Sequence, residues 1–393
     1  MSNNISKTKT INSNWGKKII DYLPNSMRSF VINISPIITI GLSLTYFFTS
    51  LRVYVTIEAG VIFDHVPAWT LSIIALPLII GPFIPWIFNF NKINKEYWLL
   101  AIGLMRLLVE IVPNPLLKFV FSALLVIVSL SWIVFLIPTV LKEYGYQITT
   151  ISIISSAVFD ISLRAPTLTA EPAIDNNWYG HIFIILSIGL FLVEGFVFIS
   201  KIENNIIKSE EMKTHKKHGL LEGFVFIQGM IIYYLFYGNA GLIAQGFRIT
   251  NSLATIILLT WYMLLIIIMQ YIGITFRDKE FYSLNYAVIL PSAVVLLAAT
   301  YMVPWSNFLL YPAPFFASLS LFFIIDRAVL TSQEMDIKQF SKGASVSLII
   351  TLLFLFGYVY YEKIGYIMIY LLIFGIASYF SVRNYRRTLD EQQ

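Results

Sequence analysis

An all-α membrane protein, with twelve transmembrane helices in two six-helix bundles, is the fold the sequence predicts. Three observations carry it. Charged residues make up only 12% of the 393 residues and the mean hydropathy is +0.75, about half the charge of a soluble protein. Apolar runs near 20 residues long recur along the whole chain, and that is the length an α-helix needs to cross a bilayer. Lys and Arg concentrate in every second connection between those runs, as cytoplasmic loops do.

The predicted spans run roughly over 29–50, 68–90, 97–112, 116–140, 148–165, 179–200, 220–237, 251–273, 284–303, 305–325, 343–360 and 364–382. Pro113, Asn114 and Pro115 mark the corner between the third and fourth, and Pro304 that between the ninth and tenth, because proline cannot continue a helix without losing a backbone bond. Segments 1–28, 91–96, 141–147, 201–218, 274–283, 326–342 and 383–393 hold 21 of the 27 Lys and Arg. Placing them in the cytoplasm puts both termini there too. The chain then divides into an N-terminal tail (1–28), a first bundle (29–200), a basic linker (201–218), a second bundle (219–382) and a C-terminal tail (383–393). The tail lacks a short apolar core followed by small residues, so no cleaved signal peptide is expected.

Composition narrows the chemistry. There is no cysteine, which removes disulfides, thiolate metal sites and cysteine nucleophiles. The histidines at 65, 181, 215 and 218 form no HExxH pair, so no metal site is expected. Neither a GxxxxGKS phosphate loop nor a GxSxG elbow occurs. The expectation is a protein that is not an enzyme and needs no cofactor. The net charge of +5 is accounted for by cytoplasmic loops rather than nucleic-acid binding.

Charge inside apolar segments is costly and therefore informative. Three breaks stand out. TSLRVYVTIEAG holds Arg52 and Glu58; LMRLLVEIVPNP holds Arg106 and Glu110; FDISLRAPTLTAEPAID holds Asp160, Arg164, Glu171 and Asp175. All three fall toward the outer ends of spans that run outward. Residues four apart share a helix face, so Arg106 can pair with Glu110, and Asp160 with Arg164. Two readings stay open. Arg52, Arg106 and Arg164 could grip an anion by forked hydrogen bonds, with Glu58, Glu110, Asp160 and Glu171 orienting them or taking up protons. Alternatively, the charges form a structural ion-pair network at the membrane rim, with arginines snorkelling to water. Glu194 and Glu222 are read as interfacial, as is His181. The tyrosines of the seventh span are read as packing.

SLRVY (50–54), LMRLLVEIVPNP (104–115) and FDISLRAPTLTAEP (159–172) resemble a set of prokaryotic multi-span proteins classed with the major facilitator transporters. The six-plus-six division around a basic linker fits that class. The same N-terminal half, roughly 45–190, is similar to the membrane region of eukaryotic proteins that remodel the lipid of GPI anchors. Leu163, Arg164 and Pro172 match that pattern. Two features depart from it. Those relatives carry an endonuclease/exonuclease/phosphatase-like domain, which these 393 residues do not contain. The loop signature of major facilitators is degenerate in NKINKE (91–96) and GITFRDKE (273–280).

The resemblance and the charges together imply a secondary transporter or lipid translocator for an anionic or amphipathic solute. Its expected partners are membrane lipids and a small-molecule or lipid substrate. The alternative is a non-transporting membrane scaffold that presents lipid to a separate lipid-modifying enzyme.

Overall fold

The computed structural model describes residues 15–57, 71–88, 94–169, 178–209 and 337–361, with residues 219–221, 223, 224, 227 and 369. Glu58, Glu171, residues 210–218 of the linker, the predicted eighth, ninth and tenth spans and all of the twelfth but residue 369 lie outside the described residues, as do the side chains of Arg52 and Arg164. Everything described is helical or a short connection. The elements are α1 (Trp15–Tyr22), α2 (Asn25–Ile57), α3 (Leu71–Ile87), α4 (Lys95–Ile111), α5 (Pro115–Thr169), α6 (Trp178–Ser209) and α7 (Ile337–Tyr361). Three stretches are long and apolar enough to cross a membrane: Asn25–Leu51, Pro115–Ile137 and Gly180–Ile202. An all-helical, membrane-embedded protein is therefore what the described residues form.

The corner between α4 and α5 is built as its residues dictate. Val112 closes α4 by donating its N–H to the Leu108 carbonyl at 3.1 Å. The Asn114 side chain then accepts from the N–H groups of Leu116 (2.9 Å) and Leu117 (3.2 Å). Asn at the cap and Pro115 at the first helical position satisfy or remove the orphan donors of the first turn.

Prolines inside spans free carbonyls that neighbouring hydroxyls take up. Pro85 has no N–H to give the Gly81 carbonyl four residues earlier, and Ser131 of α5 donates to it at 2.6 Å. Pro36 leaves the Ile32 carbonyl bare, and Ser35 donates to it at 3.1 Å. Such repairs are what let proline persist in helices away from water.

α5 runs as one helical segment of 55 residues, about 80 Å if straight. It is not straight. Tyr54 of α2 stacks on Phe119 with centroids 4.5 Å apart, while Thr45 of α2 donates to the Ser156 carbonyl at 2.9 Å. Tyr54 and Thr45 stand about 13 Å apart along α2, whereas a straight helix would put Phe119 and Ser156 about 55 Å apart. The chain therefore doubles back between Ser131 and Ser155, in the stretch that carries Pro138 and Gly145. Its two limbs correspond to the predicted fourth and fifth spans. The difference from the sequence expectation is that helical pairing continues through 141–147, which was expected as a connecting loop.

α2 is the hub, packed against both limbs of α5 and against α6. Its contact with the second limb is close, because a Cβ at Gly41 would stand 2.9 Å from the Phe159 ring. Small residues let membrane helices approach this way. α4 lies antiparallel to the first limb, with the Trp98 indole donating to the Val128 carbonyl at 2.9 Å. α6 lies antiparallel to α4, since Gly103 faces Ile188 and Leu192, and Gly195 faces Leu99. α7 packs on α3, where Ser341 donates to the Pro82 carbonyl, so an element of the predicted second bundle touches the first.

Two stretches expected as tail and linker are helical. α1 lies within the predicted N-terminal tail and seats Gly16 against Phe196 and Ser200 of α6, where a Cβ would collide. α6 continues through Ser209, nine residues into the predicted linker.

Candidate functional site

Three helices bring polar side chains together near the Glu110 end of the bundle. Arg106 and Glu110 are one turn apart on α4, and Arg106 Nη1 donates to Glu110 Oε2 at 3.1 Å. The other carboxylate oxygen, Oε1, lies 2.7 Å from Nδ1 of His181 on α6. Exposure falls inward along this chain, from 57% at His181 to 16% at Glu110 and 5% at Arg106. The cluster leads from the surface into the bundle.

Beneath it sits Tyr46 of α2, whose ring centroid is 6.0 Å from the Arg106 guanidinium carbon. That is the outer reach of a cation–π contact. The Tyr46 hydroxyl lies 2.9 Å from Ser187 Oγ of α6. Ser187 Oγ also lies 2.7 Å from the Ile184 carbonyl, which can only accept, and with Ser187 donating there Tyr46 donates to Ser187. The Tyr46 ring packs edge-on against Phe191, 5.3 Å between centroids. Both rings are fully buried.

A guanidinium carries five N–H donors. Here Nη1 is committed to Glu110, while Nε is buried with no hydrogen-bond partner among the described residues. An N–H without an acceptor in an apolar interior is costly. The same edge of an arginine grips a carboxylate or phosphate with two parallel bonds.

The seven residues singled out in the sequence divide as follows. Arg106 and Glu110 pair as their spacing predicts. Asp160 is buried on the second limb of α5. Thr45 of α2 bonds to that limb while the adjacent Tyr46 bonds to Ser187 beside the Arg106 cluster. Arg52 and Arg164 each lie five residues before the end of their helix, α2 and α5, and their side chains, with Glu58 and Glu171, lie outside the described residues. His181, read from the sequence as an interfacial residue, is exposed and links Glu110 to the surface.

Tyr46 and Ser187 were not singled out. A signal existed on α2, where Ser35, Thr39, Ser43, Thr45 and Ser50 recur within a single apolar helix and are all buried. Several of these hydroxyls bond to carbonyls a turn earlier, as Ser43 does to Thr39 at 2.6 Å. Hydroxyls hide their polarity this way inside helices. Among the described residues, no group of three His, Asp or Glu could hold a metal ion.

No protein-family model matches the chain, and no curated protein matches it.

Proposed function

We propose that the protein is a multi-span transporter or translocator whose Arg106 cluster receives an anionic group. The observation that carries this reading is a buried guanidinium with an unpartnered Nε, connected through Glu110 to the exposed His181. Charge held inside a membrane helix marks a functional site more often than a structural one. The ligand class is a carboxylate or phosphate, free or as a lipid headgroup, because arginine holds such groups with its planar fork.

In this reading the chain has twelve spans in two six-helix bundles, arranged as in the major facilitators, with both termini cytoplasmic. The apolar runs of the full sequence and the placement of 21 of 27 basic residues support it. The Glu110 end then faces outward. His181 and Glu110 form the approach to the site, and Arg106 forms its floor. Arg52 and Arg164, at the sequence positions that motivated the reading, are assigned to the same anion site.

The test is uptake in proteoliposomes. Wild-type protein is assayed with radiolabelled phosphate, short-chain carboxylates and a fluorescent anionic phospholipid, beside Arg106→Lys. The lysine keeps the charge and loses the fork. Movement of one probe by wild type, lost in the variant at equal incorporation, supports the reading. Equal movement by both proteins contradicts it.

A further inference from the structure

Glu194 lies away from the Arg106 cluster, on the same inward stripe of α6. Ser187, Phe191, Glu194 and Phe198 recur at intervals of four, three and four, which places them on one helix face. Phe191 packs on Tyr46 of α2 and Phe198 stacks on Tyr144 of α5, 5.9 Å between centroids. Glu194 stands between these two anchored rings. It is 7% exposed. Its Oε2 is buried with no hydrogen-bond partner among the described residues. The neighbouring Gly195 presses on Leu99 of α4, so this stretch of α6 is packed into the bundle. This differs from the interfacial position expected from the sequence.

An ionised carboxylate with a bare oxygen in such surroundings is strongly disfavoured. Two occupants could satisfy it: a proton or a metal cation. Sodium and similar hard cations need several oxygen ligands, and the Phe191, Phe198 and Leu99 side chains offer none. Among the described residues, these are the charged and titratable groups on the elements packed against α6 near Glu194. On α4, Lys95 and Glu96 lie one turn before Leu99, and Arg106 lies two turns beyond it. Tyr46 is on α2 and Tyr144 on α5. Lys201 is two turns further along α6, its ammonium 4.6 Å from the Tyr144 ring centroid. α1, also packed on α6, brings Lys17, Lys18 and Asp21.

We infer that Glu194 is a proton-binding site in the middle of the bundle, on the α6 stripe that also carries Ser187 beneath the Arg106 cluster. The site itself stands on the packing alone. Its use, to carry a proton as an anion moves, rests on the proposed function above.

Dicyclohexylcarbodiimide tests this without any substrate. The reagent adds across a protonated carboxyl in apolar surroundings: the O–H adds to one N=C bond, and the acyl group then migrates to nitrogen with no leaving group. Purified wild-type protein in detergent is treated at several pH values with and without sodium, then digested and read by mass spectrometry. The expected result is the full reagent mass on the peptide bearing Glu194 near neutral pH, diminishing as pH rises and unaffected by sodium. The mass is lost in Glu194→Gln. An unlabelled Glu194 in protein that is labelled elsewhere overturns the inference, and so does protection by sodium, which would assign a cation site. Labelling of Glu194 in protein that moves no anion keeps the proton site and removes only its proposed use.

Discussion

His181 on α6 meets Glu110 on α4 at 2.7 Å, and through that carboxylate it reaches the guanidinium of Arg106. One carboxylate thus ties an exposed imidazole to a buried cation across two helices. The arrangement assigns Glu110 a positioning part, because each of its oxygens is committed to a different neighbour.

Removing that carboxylate exposes the dependence. Glu110→Gln leaves Arg106 buried without a counter-charge, and loss of one partner of a buried pair costs about 3–5 kcal/mol. Because Glu110 is 16% exposed, the lower end is expected. Thermal unfolding in detergent checks it. His181→Ala reaches a half-exposed side chain, and its cost is expected below about 1 kcal/mol.

Tyr46→Phe separates two contacts. It deletes the hydrogen bond to Ser187, worth about 0.5–1.5 kcal/mol, and keeps the ring beneath Arg106. Thermal stability should fall modestly while anion binding survives. Tyr46→Leu removes the ring as well, and binding should weaken. Equal binding by the phenylalanine and leucine variants would show that the ring has no part in holding Arg106.

Glycine contacts predict opposite effects at two positions. Gly41→Val drives a branched side chain into Ser155 and Phe159, and overpacking of this kind costs about 1–3 kcal/mol. Gly189 has nothing within 4 Å of a Cβ, so Gly189→Ala should be neutral or stabilising by up to about 1 kcal/mol. Fluorescence-detected size-exclusion after heating compares the two.

The doubling back of α5 has a distance signature. The chain has no native cysteine, so spin labels at Phe119→Cys and Ser156→Cys report without background. Pulsed dipolar measurements should give a separation well under the roughly 55 Å of a straight helix. A distance near that value would refute the folded-back arrangement.

Much of the α4 region was legible in the sequence. The Pro113–Asn114–Pro115 corner announces a helix end and a cap, and Arg106 with Glu110 shows a one-turn pairing. The spans of α2, α5 and α6 follow from apolar runs. Other features depend on what packs against them. His181 and Glu194 both look interfacial by position, because hydropathy gives depth and not facing. Only the packing of α6 on α2 and α4 turns one toward Glu110 and the other inward. Helical pairing through 141–147 was hidden by Lys142 and Glu143, which read as a loop.

Ligand retention by Arg106 tests the central claim most directly. Protein purified gently from native membranes, wild type beside Arg106→Lys, is examined by native mass spectrometry before and after addition of phosphate, short-chain carboxylates and phosphatidylglycerol. An anion-binding Arg106 predicts a bound anionic species on wild type, at one per chain, that the folded variant lacks. Identical spectra for both folded proteins would contradict the claim and leave the Arg106–Glu110–His181 chain as a structural tie between α4 and α6.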